Sequence, residues 1–151
     1  MRKFSSVAEV QRAVGEEFGV SEWLTIDQQR INQFAEATND FQWIHLEEER
    51  AAQTPFKSTI AHGFLVLSLA SSFCYQTYEI ENLTMGVNYG LNKVRFTAPV
   101  PVNSAVRGRV ALQGYDAIPG GAKLTMEVTI ELEGNNKPAC VAEMIALVYS
   151  A

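Results

Sequence analysis

The run from Ile60 to Tyr78 constrains the fold of this chain more than any other feature. Phe64, Leu65, Val66, Leu67, Leu69, Ala70, Phe73 and Cys74 nearly fill it, and only small serines interrupt. It is too long for a strand and apolar on almost every face, which predicts a helix buried in the middle of a domain. Such a helix needs apolar cover on all sides.

The chain after it supplies that cover. Strand-like segments are expected at Gly86–Phe96, Ala105–Leu112, Lys123–Glu133 and Ala139–Tyr149, separated by Pro99-Val100-Pro101, Pro119-Gly120-Gly121 and Gly134-Asn135-Asn136-Lys137. In the third, Leu124, Met126, Val128, Ile130 and Leu132 alternate with polar residues, so one face is buried and the other solvated. Helices first and antiparallel strands after them is α+β order. A sheet wrapped around one apolar helix is the hot-dog arrangement. With 151 residues, 47% of them hydrophobic, and no repeat or linker, a single domain spanning 1–151 is expected.

Upstream, Val7, Val10, Val14 and Phe18 follow Ser6 at helical steps, which predicts an N-terminal helical extension within residues 1–23, ending near Gly19. Thr25 and Gln28 have capping-box spacing, and Ile26, Ile31, Phe34 and Ala37 give a helical stripe ending near Asn39. From Asp40 to His45 the period is lost. Leu46–Ala52 then reads as a short helix stopped at Thr54-Pro55, and Phe56–Thr59 as loop.

Twelve Lys and Arg against seventeen Asp and Glu give a net charge of −5, without the basic clustering of a nucleic-acid or membrane-surface site. The half-dense basic region of Lys93, Arg95, Arg107 and Arg109 is the place for a phosphate-bearing ligand. Cys74 and Cys140 sit among apolar neighbours without metal-ligand spacing and read as reduced core residues. No signal-peptide pattern or membrane-length apolar run is present, so a cytoplasmic protein is expected.

Two places could carry chemistry. Asp40 and His45 lie five positions apart in the aperiodic stretch, where two groups that hold or release protons could converge on one water. The same spacing fits a turn-forming Asp and a half-exposed His. In Ile60-Ala61-His62-Gly63-Phe64, a glycine opens the expected buried helix. Free N–H groups of a first helical turn favour negative charge, and glycine lets a ligand approach them; easing a tight bend would equally explain it. The two histidines, His45 and His62, lack zinc-site spacing, the serines of the apolar run lack a nucleophile-elbow motif, and phosphate-binding glycine loops are absent.

Taken together, Phe34-Ala35-Glu36-Ala37-Thr38-Asn39-Asp40, then His45, then Phe56 through Phe64, resemble the MaoC-like dehydratases, which include (R)-specific enoyl-CoA hydratases and NodN-like proteins. Tyr89 through Val100 resembles that family's first strand after the central helix, and the likeness runs from about Leu24 onward. It implies a hot-dog fold, often a homodimer, and reversible hydration of a trans-2-enoyl-CoA or acyl-carrier-protein thioester to the (3R)-hydroxyacyl form. No metal or redox cofactor is implied. By position, Asp40 and His45 become the catalytic pair and Gly63 the oxyanion donor, with Ser71, His62, Asn92 and Trp43 as substrate-binding residues. The sequence departs from the family at Asn39, where Gly often precedes the Asp, and at Phe41-Gln42-Trp43, where Asn-Pro is common; both bear on loop shape. Two other classes share the fold. A hot-dog thioesterase would be expected to carry an acid on the central helix, which Gly63–Tyr78 lacks, and a non-catalytic thioester-binding subunit would not need both Asp40 and His45.

Overall fold

The computed structural model describes residues 1–151. In chain order its elements are β1 (Arg2–Phe4), α1 (Val7–Val10), a 3-10 turn (Gln11–Ala13), β2 (Glu17–Val20), β3 (Leu24–Ile26), α2 (Gln28–Thr38), α3 (Trp43–Leu46), α4 (Glu48–Ala51), α5 (Gly63–Ser68), α6 (Ala70–Thr77), β4 (Tyr78–Ile80), β5 (Leu83–Arg95), β6 (Ser104–Ile118), β7 (Gly121–Leu132) and β8 (Cys140–Ser150). The main sheet is antiparallel with strand order β2-β6-β7-β8-β5, and β3 also pairs with β6. β1 and β4 form a small parallel pair. This is the expected α+β hot-dog architecture.

Alternation makes the sheet. Along β7 every second residue from Ala122 to Leu132 is buried, and β8 repeats the pattern from Cys140 to Val148. Their inward side chains pack against Leu65, Val66, Ala70 and Phe73 of the central helices. Pro119 and Gly120 turn β6 into β7, with Gly120 in the left-handed region at φ 79°. β6 runs on to Ile118, well past the expected end at Leu112, because a bulge between Leu112 and Gly114 keeps it paired with β7.

The central helix departs from expectation in two ways. It is two helices, broken at Leu69, whose N–H bonds Val66 O in a 3-10 step. Ser68 Oγ donates to Leu65 O at 2.6 Å and competes with the regular ladder there. Nor is it buried all round, since Phe64 and Tyr75 are 70% and 75% exposed.

The N-terminal helix is also shorter than its spacing implied. Ser6 does cap α1, accepting from Glu9 N–H. Gly15, at φ 92°, then turns the chain, and Phe18 reaches the core from strand β2, paired with β6. The capping box at Thr25 does not form: Thr25 lies in β3, and Asp27 caps α2 by accepting from Arg30 N–H at 2.9 Å. Instead of one helix over Leu46–Ala52 there are two single turns, α3 beginning earlier at Trp43 and α4, so His45 sits in a helical turn.

Candidate active site

α2 ends at Asn39, which takes the left-handed conformation (φ 59°, ψ 30°). Asparagine adopts this readily, so a residue other than glycine fits here without loss of the turn. The turn releases Asp40 to the surface, where its Oδ1 accepts the N–H of Gln42 at 3.3 Å. α3 follows and carries His45 inward to 6% exposure. The segment before α5 brings His62 to the same place, 2% exposed. The two imidazoles stack, with centroids 3.8 Å apart and planes 23° from parallel. One carboxylate oxygen of Asp40 and one ring nitrogen each of His45 and His62 lie within 4.8 Å of one another.

Hydrogen bonds assign the tautomers. His45 Nδ1 lies 2.7 Å from Ile60 O, and a carbonyl only accepts, so Nδ1 carries the proton and Nε2 the lone pair of the neutral ring. The molecule's one sealed polar side-chain atom without a partner is His62 Nδ1. His45 Nε2 therefore keeps access to a cleft of about 400 Å³, lined also by Ile60, Gly63, Phe56 and Phe96. Burial pushes the His45 pKa below the ordinary histidine range; the bond to Ile60 O and the Asp40 charge oppose this, and His62 adds to it. The neutral, proton-accepting form is thus favoured near pH 7. The native state binds fewer protons than the unfolded chain once pH falls below about 6.5, so stability from this group is present above that value and is lost on acidification.

The three residues form a group whose ligand atoms could meet one ion, although the near-parallel imidazoles set their in-plane lone pairs side by side.

Gly63 opens α5, and no side chain caps that end. A Cβ on Gly63 would sit 3.3 Å from the Phe96 ring, tighter than ordinary contact, so glycine is what lets Phe96 close over this turn. His45 and Gly63 share one cleft. Ser71 lies farther along, on α6, beside a second cavity of about 430 Å³ that includes Cys74, Asn88, Met144 and Val148. Asn88 Nδ2 donates to Ser71 Oγ at 3.3 Å.

Other expected contributors lie elsewhere. Asn92 donates to Glu143 Oε1 at 3.3 Å, and Glu143 alternates with buried Ala142 and Met144, so this pair is on the sheet's outer face, away from the helices. Bulges between Asn88 and Gly90 and between Leu91 and Lys93 exchange the faces of β5 along this stretch, and it is Asn88, exposed and ahead of them, that meets Ser71. Trp43 is stacked under the Arg50 guanidinium at 4.0 Å. His62 is sealed against the backbone: Nε2–H donates to Asp40 O at 3.1 Å, so it meets the Asp40–His45 segment rather than an open cavity. Arg107 and Arg109 are not a free phosphate site, because both bond Glu131, at 2.7 and 2.9 Å, and Arg109 also bonds Glu17. Lys93 and Arg95 are exposed on β5. The cysteines behave as core thiols: burial pushes Cys74 up to about 12 and Cys140 to about 11.

Gln28 contributes in a way the sequence did not signal. Its Nε2 donates to His45 O at 2.8 Å, and its Oε1 accepts from buried Thr59 at 2.6 Å, so the first turn of α2 ties down both segments that flank the cleft. A glutamine at a helix start has several such partners within reach, and only the tertiary path selects one.

Comparison with known proteins shows the family. The chain is 51% identical over 146 residues to 3-hydroxyacyl-thioester dehydratase Z of Mycobacterium tuberculosis, covering 96% of this chain and 97% of that protein. It is 48% identical over 147 residues to nodulation protein N of Rhizobium leguminosarum, covering 95% and 91%. The unliganded R-hydratase PhaJ1 of Pseudomonas aeruginosa superposes with a TM-score of 0.77 at 22% identity, over 97% of this chain and 86% of that one. Residues 9–136 match the MaoC like domain, and the chain belongs to the MaoC-like dehydratase family.

Proposed function

We propose that this protein reversibly hydrates a trans-2-enoyl thioester, of CoA or acyl carrier protein, to the (3R)-3-hydroxyacyl thioester. The observation that carries this reading is the placement of Asp40 and a neutral His45 within 4.8 Å of each other without a direct bond, His45 sharing a cleft with Gly63. A water bonded to two groups at ordinary hydrogen-bond lengths and angles separates them by about 4.5 Å. His45 Nε2 and the Asp40 carboxylate hold one water, and its oxygen adds to C3 as a proton leaves it. A proton returns to C2 from the same face, so the water's atoms are all accounted for. The Gly63 N–H meets the thioester oxygen as charge builds there. The acyl chain runs toward the apolar cavity beside Ser71. No metal or redox cofactor takes part.

Crotonyl-CoA should lose its conjugated enoyl-thioester absorbance on addition of the protein, with (3R)-3-hydroxybutyryl-CoA formed and no free thiol released. Release of thiol would favour the thioesterase class, and binding without turnover the non-catalytic one. Because His45 is held below its usual range, the acid limb of kcat/KM should fall below about pH 6.5. A limb at or above that value argues against His45 as the base.

The protein acts as a homodimer in this reading. β5 ends the sheet with an open backbone edge and exposes Met85, Val87, Tyr89 and Leu91 there, and an unprotected apolar edge calls for a partner strand. Sedimentation should return twice the chain mass; a single-chain mass at micromolar concentration contradicts it.

A further inference from the structure

His62 lies in the wall of the site, and the reaction as written does not use it. It is among the most deeply buried polar residues, with one nitrogen orphaned and the other committed to a backbone carbonyl. A sealed nitrogen without a partner costs about 1–3 kcal/mol, so a histidine at such a position calls for a reason that packing alone does not supply. Leucine or phenylalanine would fill the space without the orphan.

Three contacts define what His62 does. Its Nε2–H donates to Asp40 O at 3.1 Å and fixes the backbone of the acidic residue where α2 has just ended. Its ring lies on His45 at 3.8 Å, limiting that imidazole to a single plane. Its position is backed by Phe34 of α2, whose centroid is 5.0 Å away. Asp40 is exposed at the end of α2, its N–H bonded to Ala35 O and its carboxylate to the Gln42 amide, and His62 holds its carbonyl and so links it to the His45 ring.

We infer that His62 is a positioning residue: its Nε2–H clamps the Asp40 backbone while its ring holds the His45 ring, at the separation one water spans. This rests on the Asp40–His45 reading above. The titratable groups that face His45 are His62 and Asp40, and His62 disfavours a charge on His45 while Asp40 favours it.

The test compares His62→Phe, which keeps an aromatic plate but loses the hydrogen bond, with His62→Gln, which keeps an N–H donor but loses the plate. Each is assayed on crotonyl-CoA beside His45→Gln, with thermal melts as the folding control. In folded His62→Phe, kcat should fall about 10- to 100-fold, the scale for misplacing a reacting group, with KM changed less than about twofold. The acid limb of kcat/KM should move to higher pH as the His62 influence on His45 is lost. His62→Gln should recover part of kcat. In the wild-type protein, long-range 1H–15N correlation should show the His62 proton on Nε2, as the bond to Asp40 O requires, a reading independent of activity and of whether the variants fold. A His62→Phe variant with wild-type kcat and pH profile, or a neutral His62 ring whose proton sits on Nδ1 instead, overturns the inference. If His45→Gln itself hydrates at the wild-type rate, the Asp40–His45 reading has failed instead.

Discussion

Replacing His45 by Gln, or Asp40 by Asn, should lower kcat for enoyl-thioester hydration by about 10²- to 10⁴-fold, the loss expected when a positioned acid or base is removed. Both substitutions are close to isosteric. Asn at 40 keeps the oxygen that accepts from Gln42 N–H, and Gln at 45 retains an amide that can donate to Ile60 O. Each changes a proton inventory more than a shape. Asp40 is exposed, so Asp40→Asn should leave the thermal midpoint nearly unchanged, which separates chemistry from folding. Two groups that hold one water act as a unit, so the double variant should be little worse than the poorer single one. Additive losses would mean that the residues work on separate steps. Wild-type rates in both single variants would remove the pair from the mechanism.

Phe73→Ala should have the largest effect on stability, about 3–5 kcal/mol from the size of the cavity left behind. Phe73 is fully buried on α6, and its side chain lies flat on Gly108 of β6: a Cβ at Gly108 would come within 2.5 Å of Phe73 Cβ. The strand cannot collapse into the vacated space, because β6 is held by β7 on one side and β2 on the other, and Gly108 is further bonded to Ser21 through both its N–H and its C=O. A domain of this size holds roughly 5–15 kcal/mol in all, and Tm should fall by roughly 6–20 °C. Gly108→Ala attacks the same contact from the other side and should cost about 1–3 kcal/mol by overpacking. Urea titration of the two variants checks both values. An unchanged midpoint in Phe73→Ala would show that the helix does not rest on the sheet here.

Much of this was legible from residue pattern. Strict alternation in β7 gave away the sheet, and the apolar run from Ile60 located the helices it wraps. The places where pattern misled share a physical cause, which is that period-based reading assumes an uninterrupted element. Phe18 continues the helical spacing of Val7 and Val10, yet Gly15 turns the chain between them, and Phe18 is buried from a strand. Asn92 sits at the right distance from the central helix, but two bulges exchange the faces of β5 along this stretch, and it is Asn88 that meets Ser71. Asp40 and His45 were identifiable only through their order along the chain relative to the His62-Gly63 segment. Their actual meeting depends on contacts invisible to spacing, namely the crossing of Gln28 to His45 O and the stacking of His62.

The interruption at Leu69 divides labour along the molecule's axis. Gly63 belongs to the half that shares a cleft with His45, whereas Ser71 and Cys74 belong to the half that lines the larger apolar cavity. A continuous rod would transmit any rotation or slide of one end to the other. A joint with a 3-10 step absorbs small adjustments locally. Substitutions that enlarge or fill the cavity around α6 can therefore accumulate without disturbing the geometry at α5, so descendants of such a protein can drift between thioesters of different bulk while the reacting centre stays as it was.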